Sequence, residues 1–218
     1  MNKKQIRDKK RHWNKFYKGF ESSTPSQFCV SIIADLELGE VIVELGSGNG
    51  RDALFFASQG FTTVAIDLSK VAVTKCQKHL EAREIRQCLF IEGDITDKET
   101  VEKVVAEARV KAPTGTLVFY SRFVIHSLDD AQQGAFLRAL YNCTNPGDVA
   151  YFEFRSTDDA VLEKHYGDHY RRYVDTNLFV QELIDLTNFY PIYSITGQGM
   201  ARFKAEDPVV SRIIAQRR

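Results

Sequence analysis

The run Val41-Ile42-Val43-Glu44-Leu45-Gly46-Ser47-Gly48-Asn49-Gly50 decides the fold. Its first half is short, apolar and rich in β-branched residues, the mark of a strand buried on both faces. Its second half places glycine at alternate positions. Glycine tolerates positive φ, so the chain turns sharply there, and a ligand meets backbone that carries no Cβ. A helix is predicted from about Arg51 to Ser58, with its free N–H groups aimed at that ligand. In an open sheet built from such strand–turn–helix units, ligands sit at the carboxyl ends of the strands, beside the switch in strand order.

Working outward, helix and strand signals alternate along the chain, the pattern of a parallel sheet covered by helices. Trp13, Phe16, Tyr17 and Phe20 fall at helical spacing beneath a basic face. Thr24-Pro25-Ser26-Gln27 reads as a capping box with proline at the first helical position. The helix it opens carries Phe28, Ile32, Ile33 and Leu36 on one side. Strands are expected at Glu40–Leu45, Phe61–Ile66, Cys88–Glu92, Thr116–Tyr120 and Val149–Phe154. Between them, Ser69 caps a helix to about Arg83, and Thr96-Asp97-Lys98-Glu99 is a capping box opening a helix to about Arg109. Further helices are expected at Asp129–Asn142 and Thr176–Asn188, and Tyr190–Thr196 and Val209–Ala215 form a hairpin-like final pair. The segment from Asp158 to Val174 is charged and aromatic without a clean period.

The fold expected is therefore a three-layer α/β sandwich: a mostly parallel seven-stranded sheet, an antiparallel C-terminal strand and an N-terminal helical lid. One domain is expected over residues 1–218, with the lid at 1–38, the ligand-binding core at 39–155, and a substrate-side insertion plus final strands at 156–218. Lys+Arg and Asp+Glu both number 29, so the chain lacks the basic excess of a duplex nucleic-acid binder. Cys29, Cys76, Cys88 and Cys143 make no CxxC pair, which fits a reduced, cytoplasmic protein. The polar N-terminus carries no secretory h-region, and no apolar run approaches the length of a membrane span.

Acids punctuate the strand ends. Asp67 closes the second strand in Val64-Ala65-Ile66-Asp67-Leu68, where a carboxylate can accept both hydroxyls of a ribose. The third strand runs into Gly93-Asp94-Ile95, where an acid suits an adenine amino group and Ile95 the face of the ring. A nicotinamide-dependent oxidoreductase would show G-x-G-x-x-G, but Arg51 stands where its third glycine belongs. An acid such as Glu44 also sits poorly beside a pyrophosphate. It suits a cationic ligand.

These residues resemble the Rossmann-like (class I) S-adenosylmethionine-dependent methyltransferases. Glu44, Gly46, Gly48 and Gly50 match that family's E/D-x-G-x-G-x-G signature, its ribose acid falls on Asp67, and its adenine-side acid falls on Asp94. The likeness covers Val41 to about Phe154, with a less specific leaning toward tellurite-resistance-type small-molecule methyltransferases, in which an N-terminal aromatic helix folds over the cofactor. It implies S-adenosyl-L-methionine as cofactor, held by Glu44, Gly46, Ser47, Gly48, Gly50, Asp67, Leu68, Asp94, Ile95 and Ser121, with Trp13 and Tyr17 on the lid.

The fourth strand ends in Tyr120-Ser121-Arg122-Phe123-Val124-Ile125-His126, the strand end that faces the transferable methyl in such a fold. His126 is the candidate general base, against a plain role in hydrogen-bonding the next helix start. Arg122 is the candidate to hold an anionic substrate, against a structural role. Arg155, His169, Arg171 and Arg172 are candidates to grip an anionic acceptor through arginine's fork. The alternative is a solvated helix laced with ion pairs. His165 and His169 have i,i+4 spacing, but Gly167 weakens the helix and no third ligand follows, so no metal is expected.

The function expected is in-line methyl transfer to a small-molecule or glycan-type acceptor by a monomer or homodimer. An NAD(P)-dependent oxidoreductase and a non-catalytic S-adenosylmethionine-binding protein are the alternatives. The Asp/Asn-Pro-Pro-Tyr/Phe loop typical of DNA N-methylation has no counterpart after the fourth strand, so DNA is not an expected partner.

Overall fold

The computed structural model describes residues 3–112, 115–164 and 171–218. Seven strands form one sheet: β1 Val41–Leu45, β2 Thr62–Asp67, β3 Cys88–Glu92, β4 Leu117–Arg122, β5 Val149–Arg155, β6 Phe189–Gly197 and β7 Val210–Arg217. Their order is β3-β2-β1-β4-β5-β7-β6. All neighbours pair in parallel except β7, which runs antiparallel to both β5 and β6. The chain winds outward from β1 to β3, then crosses back to place β4 on the other side of β1. The switch in strand order therefore falls between β1 and β4.

Seven α-helices accompany the sheet among the described residues: α1 Lys3–Gly19, α2 Gln27–Ile32, α3 Arg51–Ser58, α4 Lys70–Ala82, α5 Lys98–Lys111, α6 Asp130–Cys143 and α7 Thr176–Thr187. Alternation along β1 explains the two faces. Val41, Val43 and Leu45 join Val64, Ile66 and Phe119 in a core built with α5, α6 and α7. Ile42 turns the other way, into a cluster with Phe28, Phe56 and Tyr120, while Ala65 and Phe90 pack under α3 and α4. Helices on both faces leave the carboxyl edge of the parallel strands as the accessible rim.

Two helix starts differ from the sequence reading. Ser26, not Thr24, caps α2: its Oγ accepts from the Cys29 amide at 3.1 Å, so Pro25 precedes the cap. Ser26 Oγ also donates to Asp52 Oδ2 at 2.7 Å, a tertiary bond that fixes which hydroxyl does the capping. The helix then lasts six residues before tightening into a 3₁₀ turn at Ile33–Asp35. Asp97, not Thr96, caps α5, accepting from the Thr100 amide. Thr96 instead donates to Asp94. The final pair is antiparallel as expected, with an irregularity between Pro191 and Tyr193.

The lid helix α1 lies across the carboxyl rim. Asn14 Oδ1 accepts from Ser69 Oγ at 2.8 Å and from the Val71 amide at 3.2 Å, over the start of α4. Lys9 Nζ donates to Gln132 of α6 at 2.8 Å, and Lys10 pairs with Glu92 at the end of β3. Trp13, Phe16, Tyr17 and Phe20 stack and edge-pack along its inner side. No helix among the described residues is long and apolar enough to cross a membrane.

Candidate active site

The glycine turn is stitched to β2. The amides of Gly46 and Ser47 both donate to Ile66 O, at 2.9 and 3.0 Å. The Gly48 amide donates to Asp67 Oδ2 at 2.8 Å, and the Ser69 amide to Asp67 Oδ1 at 2.7 Å. Asp67 is thus oriented by the loop it serves. Each of its oxygens keeps a free lone-pair direction, so it can still accept ribose hydroxyls. Burial pushes its carboxyl up to about 6, against the pull of the Ser69 and Gly48 amides.

The glycines do different work. At Gly48, φ is +55°, and a Cβ would run into the Tyr17 hydroxyl, so the bare backbone lets the lid tyrosine reach the loop. Tyr17 is half-buried overall, but its hydroxyl end is enclosed. Burial, and then Asp67, raise its pKa well above the ordinary value. At Gly50, φ is +73°, and a Cβ would lie 2.6 Å from Cys76 Sγ and 2.7 Å from the Phe90 ring. That glycine serves the packing of α3 and α4 against β3.

Glu44 and Ser47 carry the most telling signal. Glu44 Oε2 and Ser47 Oγ are buried without a hydrogen-bond partner. Burial, and then the neighbouring Asp52, raise the Glu44 carboxyl well above the usual range. An unsatisfied buried acceptor costs about 1–3 kcal/mol or more. Two of them beside an open glycine turn mark the place of a polar, donor-bearing ligand group. Asp52 accepts from the Ser26 amide at Oδ1 and from Ser26 Oγ and Tyr120 Oη at Oδ2, at 2.7, 2.7 and 2.9 Å, and Arg51 Nε stands 3.8 Å from Oδ1.

Further along the rim, Asp94 Oδ1 accepts from the Thr96 amide and hydroxyl at 2.8 and 2.7 Å. Lys9 of the lid comes within electrostatic reach of Asp94, and burial lowers that lysine's pKa. Ile95 belongs to the core beneath α5, while Leu68 stays partly exposed at the rim. Ser121 Oγ donates to Leu45 O at 3.2 Å, tying β4 to β1 at the switch point.

The acceptor side departs from expectation. His126 is buried, and its Nδ1 accepts from the Arg155 amide at 3.2 Å. A neutral imidazole that accepts at Nδ1 carries its proton on Nε2 and presents a donor there. The lone pair on Nδ1 of the expected base is thus engaged by the Arg155 amide. Arg155 is also committed: Nη1 donates to Asp159 Oδ2 at 2.7 Å and Nη2 to Glu206 Oε2 at 2.6 Å. Arg172 pairs with Asp130 and Gln133 of α6. Arg155 and Arg172 are therefore both held in ion pairs, and Arg172 Nε remains buried without a hydrogen-bond partner. Arg171 is partly exposed, and burial, then Arg155, lower its pKa. His169, with His165, lies outside the described residues.

Arg122 is nearly buried. Its Nε donates to Glu153 Oε1 at 2.7 Å, and its guanidinium lies 4.0 Å from the Phe123 ring centroid. Phe123 adopts φ +58°, a left-handed conformation that a bulky side chain rarely takes. Such strain persists where surroundings over-determine it, often at functional sites. Arg212 takes the other Glu153 oxygen at 2.8 Å. The sequence reading overlooked Arg51, Asp52 and Arg212. Of the three, Arg212 alone carries a sequence-level sign, a charge within the apolar run from Val209 to Ile214. A cavity of about 440 Å³ lies off this rim, lined by residues including Ser156, Asp158, Asp175, Asn177 and Thr196, among the polar ends of β5, α7 and β6. It touches none of the strand-end acids of β1–β3.

The strand order, the glycine turn after β1 and the acid closing β2 define a Rossmann-like domain of the class I methyltransferase kind. Residues 42–147 match the family model described as a methyltransferase domain. The chain thus carries a methyltransferase domain over that stretch, on a fold it shares with S-adenosylmethionine-dependent methyltransferases. A SAM-dependent methyltransferase from Anabaena variabilis superposes with a TM-score of 0.73 at 16% identity, covering 100% of this chain and 96% of that one. A structure described under the conversion of a disulfide bond into a thioacetal group during echinomycin biosynthesis has a TM-score of 0.75 at 14% identity, covering 96% and 92%. A TehB-like SAM-dependent methyltransferase from Corynebacterium glutamicum has a TM-score of 0.62 at 12% identity, covering 100% of both chains. At these identities the likeness is one of fold, and the leaning toward tellurite-resistance-type proteins is matched at that level. No curated protein matches the sequence significantly.

Proposed function

We propose that the rim from β1 to β4 holds S-adenosylmethionine and presents it to a small-molecule acceptor whose attacking atom arrives already deprotonated. In this reading Glu44 and Ser47 meet the cofactor's ammonium group, the Gly46–Gly50 turn lies along its amino-acid end, and Asp67 accepts the ribose hydroxyls. Asp94 takes the adenine amino group, Leu68 and Ile95 line the ring, and Trp13 and Tyr17 close the lid. The observation that supports it most is the pair of orphaned buried oxygens on Glu44 and Ser47, which fit a cationic donor. When bound, the cofactor supplies an electrophilic methyl group.

The chain's part is then alignment and exclusion of water, which can supply roughly 7–11 kcal/mol of barrier lowering. Ser121, Arg122 and Phe123 at the end of β4 shape the acceptor's approach. The engagement of His126 Nδ1 by the Arg155 amide supports an acceptor that arrives deprotonated. Two proteins of similar fold, one described under echinomycin biosynthesis and one a glycopeptide N-methyltransferase, are in keeping with a small-molecule acceptor.

The test is S-adenosylhomocysteine release with thiol and hydroxyl acceptors of graded pKa. Turnover is expected to follow the fraction of acceptor that is ionised, and His126→Ala to cost less than about tenfold. A general base contributes about 10²–10⁴-fold. A loss of that size in His126→Ala with a protonated hydroxyl acceptor would overturn the reading.

A further inference from the structure

The chain beyond β5 builds a second recess, away from the strand-end acids. The Thr157 amide donates to Val174 O at 3.1 Å, and Ser156 bridges to Val174, so the segment after β5 lies beside the start of α7. On β6, Ser194 and Thr196 pair with Ile213 and Ser211 of β7, and Ser211 in turn pairs with Phe154 of β5. The cavity of about 440 Å³ lies among these ends. Its volume is that of a small-molecule site, but its walls are polar where such sites are mostly apolar.

The wall chemistry narrows the ligand. Among the described residues it offers five Ser and Thr hydroxyls, the amide of Asn177 and the carboxylates of Asp158 and Asp175, with Ile195 as its apolar member. Lys, Arg and His are absent from that wall, so two carboxylates would repel a phosphate or an acid. An apolar ligand would strip water from polar groups and give nothing back. Asp175 Oδ1 accepts from the Asn177 and Leu178 amides at 2.9 and 3.0 Å, and Oδ2 is left for a ligand donor.

The hydroxyls decide between a cation and a neutral polyol. Thr176 Oγ1 and Thr196 Oγ1 both bond to the fully buried Ser211 Oγ, at 2.6 and 2.8 Å. Ser211 has one proton, so it donates to one threonine at most. The chain can run from Thr176 to Thr196 or the reverse, which swaps the threonine that keeps its own O–H to donate. Such a wall suits a ligand whose neighbouring groups both donate and accept. The vicinal hydroxyls of a sugar ring do so, and an ammonium group only donates.

We propose that this cavity is a saccharide subsite, which receives one ring of a glycan-bearing acceptor at the β5–β6 end of the sheet. It rests on the activity proposed above only for its link to methyl transfer.

The experiment is saturation-transfer NMR on the folded protein without cofactor, using glucose, galactose, mannose and N-acetylglucosamine, with ethanolamine as the cationic probe. At least one sugar is expected to bind the wild type. Thr196→Val and Asn177→Leu should each weaken it by about two- to tenfold, the worth of one neutral hydrogen bond. Both positions lie outside the proposed cofactor cradle, so S-adenosylhomocysteine affinity should stay unchanged in both variants. Failure of all four sugars to bind overturns the subsite. So does sugar binding that survives both substitutions, or ethanolamine binding where the sugars do not. If the wild type binds a sugar but not S-adenosylhomocysteine, the cofactor placement falls and the subsite stands.

Discussion

Asp67→Ala is expected to weaken S-adenosylhomocysteine binding by about two to four decades, because two charge-assisted hydrogen bonds of roughly 1.5–3 kcal/mol each are lost, at about 1.4 kcal/mol per decade. The structure adds a second consequence. The Gly48 and Ser69 amides both donate to this carboxylate, so the substitution also releases the glycine turn from β2. Asp67→Asn keeps one acceptor oxygen and should fall between the wild type and the alanine variant. The same side chain makes wild-type binding depend on pH. Burial raises the Asp67 carboxyl from 3.8 to about 6. In the folded protein the proton is therefore held more tightly than in the unfolded chain, and this group's contribution to stability declines as pH rises from about 4 to 6. Ligand binding runs the opposite way, since ribose hydroxyls need the carboxylate. Affinity should fall below pH 6, by up to about tenfold per pH unit. Titrations between pH 5 and 8 check both statements, and a pH-independent affinity together with an unimpaired Asp67→Ala would contradict them.

Glu153→Leu is expected to destabilise the fold by about 3–5 kcal/mol, the usual consequence of leaving a buried charge without its partner. The β4–β5 and β5–β7 registers place Arg122, Glu153 and Arg212 side by side on three adjacent strands. Glu153 is fully buried and accepts one Nε–H from each arginine, at 2.7 and 2.8 Å. Leucine fills the volume but leaves both guanidiniums unmatched, Arg212 above Phe28 and Arg122 beside Phe123. At roughly 2–4 °C per kcal/mol for a chain of this size, Tm should drop by about 6–20 °C. Glu153→Gln keeps an acceptor without the charge and should lose less. A Glu153→Leu variant within 1 kcal/mol of the wild type in urea unfolding would show that the three-strand ladder does not stabilise the protein.

What the sequence disclosed and what it concealed divide along sequence distance. The helix from Arg51 to Ser58 and the strand from Cys88 to Glu92 have the bounds read from the residues, because glycine turns, caps and β-branched runs act within a few positions. The cap at Ser69 is local in the same way. Ser26 was misjudged because the choice between two hydroxyls was made by Asp52, twenty-six residues on. The commitments of Arg155 and Arg172 were hidden for the same reason, their partners Glu206 and Asp130 lying 51 and 42 residues away. The cofactor side of the rim was legible because strand-end acids are set by the fold's winding. The acceptor side was not, because there the role of each charge depends on which opposite charge the strand order brings beside it.

The most direct test of the central claim is a crystal structure with S-adenosylhomocysteine bound. The account predicts the ribose on Asp67, the amine on Glu44, and the sulfur facing the end of β4. A ligand seated instead in the polar cavity near Asp175, or lying with Asp67 and Glu44 untouched, would contradict it.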